Sequence, residues 1–204
     1  MYRKLYFVLT GLLTFARVLS ASGMELRLGS GEKDLSRYRE CGYNAAVLGS
    51  FSHLALLDDA VPGALRPESP LRLKIEKNRR SFAENAKKAA GLGLKVCLST
   101  DEIELPAPVF ARLAVATKSG KGAARIDLES EAFWKVYRAK YREILRAFPQ
   151  IDYVMVRTGE NYSNLTEGEY AGQMICDRAV PRGSDLYVSR MQRLINETRA
   201  IVVD

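Results

Sequence analysis

Apolar and polar positions in this chain fall into two alternating regimes, short strand-like runs and longer helical stripes. Met24 to Ser30 alternates apolar and polar residues and runs into Gly29-Ser30-Gly31, which predicts a first strand ending in a loop. Asp34 suits the N-cap of a short helix closed by Cys41-Gly42, and Tyr43 to Ser50 reads as a second strand. Ile75 to Leu92 places Phe82, Ala86, Ala89 and Ala90 on one helical face, and Gly91-Leu92-Gly93 ends it. Leu94 to Thr100 is the third strand. The strongest helix follows Ser130, with Phe133, Val136, Tyr137, Lys140, Tyr141, Ile144, Leu145 and Phe148 at core spacing and Trp134 assignable to either face. Ile151 to Val156 is a fourth strand, apolar on both faces, as in a parallel strand covered on both sides. A last helix runs from about Ser184 to Val203. Four stretches between these elements read as loops: Phe51–Pro70, Asp101–Pro106, Ala107–Gly122 and Glu167–Gly172.

Four strands, each followed by helix-forming sequence, predict an α/β fold with a parallel sheet. No G-x-G-x-x-G follows the first strand, so a dinucleotide fold has no local support. Polar loops after the strands, with carboxylates after the third and fourth, suit a parallel (β/α) barrel of the TIM-barrel kind. Such a barrel typically needs about 250 residues, and 204 are present. The expectation is therefore an incomplete barrel of about four β/α units, the N-terminal half of a full one, with a missing C-terminal half. A small flavodoxin-like domain is the rival.

Composition alters this picture mainly at the N-terminus. Arg3 and Lys4 precede the apolar run Leu5 to Ala16, and Ser20-Ala21-Ser22-Gly23 supplies small residues. Those are the parts of a signal peptide over residues 1–22, which predicts a secreted or periplasmic protein with no membrane contact after cleavage. An uncleaved anchor is the alternative, and both export the remainder. The content of 47% hydrophobic and 27% charged residues is that of a globular domain. The charge of +7 is spread along helical stretches without a basic-aromatic stripe, so no nucleic-acid partner is expected. Three cysteines at irregular spacing argue against a disulfide scaffold or a structural zinc site, and no metal or cofactor is expected.

Candidate chemistry gathers at the strand ends, where α/β sheets and barrels bind ligands. Glu160, on the tip Arg157-Thr158-Gly159-Glu160-Asn161-Tyr162, is the first candidate. Asp101 and Glu102 follow the third strand; as neighbours in sequence they point in different directions and do not form a catalytic pair by themselves. Arg157 suits a carboxylate partner, on a ligand or within the protein. His53, the single histidine, sits just past the second strand, as a substrate contact or a packing residue. Asn161 and Tyr162 complete the candidate substrate-binding set, Tyr162 as a stacking surface for a sugar ring.

The block Asp127 to Lys135, then Phe148-Pro149-Gln150-Ile151-Asp152 and Tyr153 to Glu160, resembles sugar-cleaving (β/α)8 barrels, and is similar to the α-glucuronidase family of glycoside hydrolases. Ala90 to Ser99 looks like the third strand of the same proteins. The resemblance covers about residues 75 to 165. It implies an oligo- or polysaccharide partner and casts Glu160 as the general acid that protonates the leaving oxygen. It also implies a second carboxylate from a later strand, so this chain alone is expected to have little or no activity. A non-catalytic carbohydrate-binding protein of the same architecture is the competing expectation.

Overall fold

The computed structural model describes residues 4–9, 17–19, 25–31, 33–115, 125–158, 169–175 and 180–203. Four parallel strands follow one another across the sheet in chain order: β3 (Glu25–Ser30), β4 (Ala45–Ser50), β5 (Lys95–Asp101) and β9 (Ile151–Thr158). They form the α/β fold expected from the alternation, curled into a half-barrel. The connecting helices are α1 (Leu35–Glu40), α2 (Pro70–Gly91) and α4 (Glu131–Ala147), with α5 (Asp185–Val203) after the last strand. Two further strands extend the sheet. β1 (Lys4–Leu9) pairs parallel with β9, and β2 (Arg17–Leu19) pairs antiparallel with β3. These are the described parts of the segment read as a leader, the rest of which lies outside the described residues. Among the described residues no helix is long and apolar enough to cross a membrane.

The helix ends follow from local chemistry. Gly42 and Gly93 have φ of +77° and +70°, where a side chain would be strained. The turn after α1 is closed by Tyr43 N–H donating to the Tyr38 carbonyl at 2.8 Å, and that after α2 by Leu94 N–H donating to Ala89 at 2.9 Å. Both glycines thus turn a helix straight into a strand. Asp34 caps α1 as expected, accepting from Ser36 N–H at 3.0 Å. Ser130 holds the N-cap position of α4, yet its side chain makes no capping bond. Helix α2 starts five residues before Ile75, because Ser69 accepts from Arg72 N–H at 3.3 Å and Pro70 occupies the first turn.

The core lies between the sheet and the helices. Ala46, Val96, Leu98, Val154 and Val156 pack there against Ile75, Phe82 and Ala86 of α2 and the apolar stripe of α4. On the opposite, concave face, Leu26, Ala45, Cys97 and Tyr153 form a smaller buried layer with Leu28, Val47 and Met155. A strand sheet apolar on both faces is what the fourth strand's sequence predicts.

All four stretches expected to be loops carry regular structure in their described residues. Ile103–Pro106 is a strand, β6, paired antiparallel with β10 (Tyr170–Gln173). Ile103 and Leu105 are buried there, so an acidic-looking segment carries a half-apolar strand. Ala107–Leu113 is a helix, α3, with Val109 and Phe110 buried, followed by β7 (Ala114–Val115), which pairs with β8 (Arg125–Ile126). The long connection after β4 opens with a 3-10 turn at Phe51–His53 and packs Leu54, Ala55, Leu57 and Leu65 into the core. Arg112 ties it to α3 by donating to the carbonyls of Pro62 and Gly63 at 2.6 and 2.8 Å.

Candidate functional site

The concave face changes character along β5 and β9. Cys97 opposes Tyr153, Ser99 opposes Met155, and Asp101 opposes Arg157, so the last register pair before the strand ends is charged. Side chains alternate across a strand. Thr100 faces the helix layer, where the Lys140 ammonium donates to its hydroxyl at 3.4 Å. Asp101 and Arg157 therefore face the concave side, one turn of the pleat beyond an apolar floor. The Arg157 guanidinium lies 2.6 Å from Asp101 Oδ1, with the Asp101 side chain nearly buried and that of Arg157 one-third exposed. Opposite charges at this depth hold each other in place, since a lone ion there would have lost most of its water.

That geometry sets a test. Arg157→Met is expected to cost about 2 kcal/mol of stability, below the usual cost of breaking a fully buried pair because Arg157 keeps some solvent. The double variant D101N/R157M should lose less than R157M alone, because it leaves no uncompensated carboxylate. Urea unfolding of the three proteins measures the difference; equal losses would mean that the Asp101 carboxylate is not left uncompensated when Arg157 is removed.

Of the residues expected at the site, Asp101 and Arg157 are brought together. Glu102, the next residue, is 2% exposed and its carboxylate accepts the Ile175 N–H at 2.7 Å. It is occupied as an anchor for the segment after β10, and its strand-tip position does not present it to a ligand. Glu160, Asn161 and Tyr162 lie outside the described residues; the described part of β9 ends at Thr158, two positions before Glu160. Trp134, assignable to either helix face from the sequence, is a core residue at 1% exposure whose Nε1–H donates to the Leu128 carbonyl at 2.8 Å.

His53 belongs to a second polar group at the strand ends. Its ring lies on that of Tyr170, with centroids 4.4 Å apart. Around them stand Glu104, whose carboxylate accepts from the Ser50 hydroxyl at 3.0 Å, and the ion pair of Lys74 with Glu169. Partial desolvation of the imidazole against Tyr170, more than any charge, holds its pKa below the ordinary value, with Lys74 adding to the effect and Glu104 and Glu169 opposing it, though His53 as a whole stays exposed. His53 is thus a neutral, stacked ring near pH 7, fit to donate or accept one hydrogen bond. Glu104 and Tyr170 were not singled out by sequence. The missed signal was the alternation Glu102-Ile103-Glu104-Leu105, which marks a strand with its acids on one side.

Beneath both groups lies a buried cation. Lys140 is fully buried, donates to the Glu104 carbonyl at 3.1 Å and sits over the rings of Tyr137 and Tyr141 at 5.4 and 5.0 Å. Desolvation pushes its pKa down to about 8 against the attraction of Glu104 and Asp101. It braces the strand ends from the helix side. At the amino-terminal ends of the same strands, Asp152 accepts Val96 N–H and pairs with Lys95, both at 2.9 Å.

Among the described residues no three metal-ligating side chains converge. Comparison of the chain with protein-family models, with curated proteins and with solved structures found no match.

Proposed function

We propose that the protein is an exported, glycoside-hydrolase-like half of a (β/α)8 barrel that holds carbohydrate at the carboxyl ends of its strands, with Glu160 as the acid. The observation that carries this is the Asp101–Arg157 pair on the concave face where β5 and β9 end. A carboxylate beside a guanidinium offers fixed acceptors and donors above an apolar floor, which suits a polyhydroxy ligand with one apolar ring face. Glu160 follows Thr158, the last described residue of β9, by two positions in the sequence.

Glycosidic cleavage needs two carboxyl groups, about 5–9.5 Å apart across the scissile bond. Asp101 is paired with Arg157, and Glu102 is bound to the Ile175 amide. Both described strand-tip acids are engaged, and this favours a second reading in which the half-barrel binds sugar without cleaving it.

Titration calorimetry with a panel of neutral and acidic oligosaccharides, alongside turnover of aryl glycosides, separates the two. Cleavage by Glu160 predicts that Glu160→Gln lowers turnover by at least about tenfold while affinity holds. Sugar binding without turnover, unchanged in Glu160→Gln, identifies a binding protein. Absence of binding to every sugar in the panel overturns both readings.

A further inference from the structure

On the outer side of the molecule, far in function from the strand ends, a groove of about 790 Å³ runs between residues 56–60 and helix α4. Its floor is apolar, with Leu56, Leu57, Ala60, Ala139 and Ala147. Its helical wall carries Lys135, Arg138, Arg142 and Arg146, spaced three or four residues apart and so on one face of α4.

The charges sort into those already satisfied and those that are not. Asp58 is held by both guanidinium nitrogens of Arg72, at 2.7 and 2.9 Å. Glu143 accepts from Arg79 at 2.7 Å and from the backbone amides of Leu56 and Leu57 at 3.1 and 2.8 Å. That clamp fixes Leu57 at a φ of 58°, a conformation unusual for a residue with a branched side chain, and so keeps the loop side of the groove in shape. Arg138 is paired with Glu131 and Glu197. Lys135, Arg142 and Arg146 are exposed and have no acidic partner among the described residues. Asp59 is the one lining acid in the same condition. These unpaired groups leave the groove with a local excess of positive charge.

We propose that this groove docks an acidic, partly apolar peptide segment of another protein. Cations along one wall and an apolar floor demand carboxylates alternating with small or aliphatic side chains. Lys135 to Arg146 spans about 16 Å at 1.5 Å per residue, the reach of about five extended residues. A polysaccharide or a single-stranded nucleic acid would call for ring platforms, and no aromatic residue lines the groove. This site is independent of the strand-end reading, and either can fail without the other.

The test is fluorescence anisotropy of a labelled hexapeptide alternating Glu and Leu, against the same peptide with Gln for Glu, on the full chain. The acidic peptide is expected to bind at least about tenfold more tightly, and less so as salt is raised. The double variant R142E/R146E, at exposed positions, should lose that preference, with circular dichroism confirming its fold; K135E should reduce it in part. Equal affinity for the two peptides, or affinity retained in R142E/R146E, overturns the proposal. So does the absence of acidic-peptide binding where heparin or polyphosphate binds through Arg142 and Arg146.

Discussion

Trp134→Ala is expected to lower the free energy of unfolding by about 4 kcal/mol, within the range for deleting a large buried aromatic. Trp134 packs edge-on to Phe133 and Tyr137, with centroids 4.9 and 5.3 Å away, and the Arg193 guanidinium covers its ring at 4.9 Å. It is the point where α4 meets α5. Removing the ring leaves a cavity, strands the Leu128 carbonyl without its donor, and loosens Arg193 above it. Trp134→Phe separates these contributions, since it restores most of the volume but not the N–H. Its cost should be about 1–2 kcal/mol, the penalty of a buried acceptor left unpaired plus the smaller ring. Because Trp134 is the only tryptophan, the unfolding curves need circular dichroism in place of intrinsic fluorescence. A loss below about 1 kcal/mol for the alanine variant would show a site able to collapse around the missing ring.

The contrast with the strand tips shows what this sequence discloses and what it withholds. The four parallel strands and the helices between them were legible because their periodicities are strong. The burial of Phe133, Val136, Tyr137, Tyr141, Ile144 and Leu145 along α4 follows the stripe read from sequence. Gly42 and Gly93 were legible as helix ends, because few residues other than glycine take a positive φ at low cost. Lys140 was placed on the core face by its spacing, but nothing local shows that a buried lysine is braced by two tyrosine rings and a strand carbonyl from 36 residues away. Strands β6 and β10 were missed because the short alternation at Glu102–Leu105 is a weak signal without its partner. Each is four residues long, and each becomes a strand only because the other is beside it. At the candidate site, Arg157 had two readings from sequence, an internal ion pair or a ligand contact. The register of β5 against β9 selects the internal pair with Asp101, and pairing between strands is information that a single strand does not carry.

Lys140→Met is expected to change how stability depends on pH more than its value at any one pH. In the folded protein Lys140 titrates at about 8, against 10.5 for an ordinary lysine, because burial disfavours its charge. Between these values the unfolded chain binds the proton and the folded chain has released it, so folding gains stability as pH rises through that window. The whole shift corresponds to about 3 kcal/mol. Other buried groups act in the opposite sense. The Cys97 thiol is pushed up to about 12 by burial and then by Asp152, so the unfolded chain loses that proton first and stability falls once pH passes 9. Tyr137, pushed up to about 12 by burial, and Tyr141, raised well above its ordinary value, add the same fall above pH 10. The native protein should therefore gain stability from pH 8 to 9, level off, and lose it steeply beyond 10. In Lys140→Met the rising limb disappears and the falling limbs remain. Urea midpoints of both proteins at pH 7, 8, 9 and 10 measure the difference, which should move in favour of the native chain by about 2 kcal/mol over that range. A difference independent of pH would mean that Lys140 keeps an ordinary pKa, and so is not sealed from water beneath the strand ends. Its role as the brace under Thr100 and Glu104, and through them under the Asp101–Arg157 pair, stands or falls with that measurement.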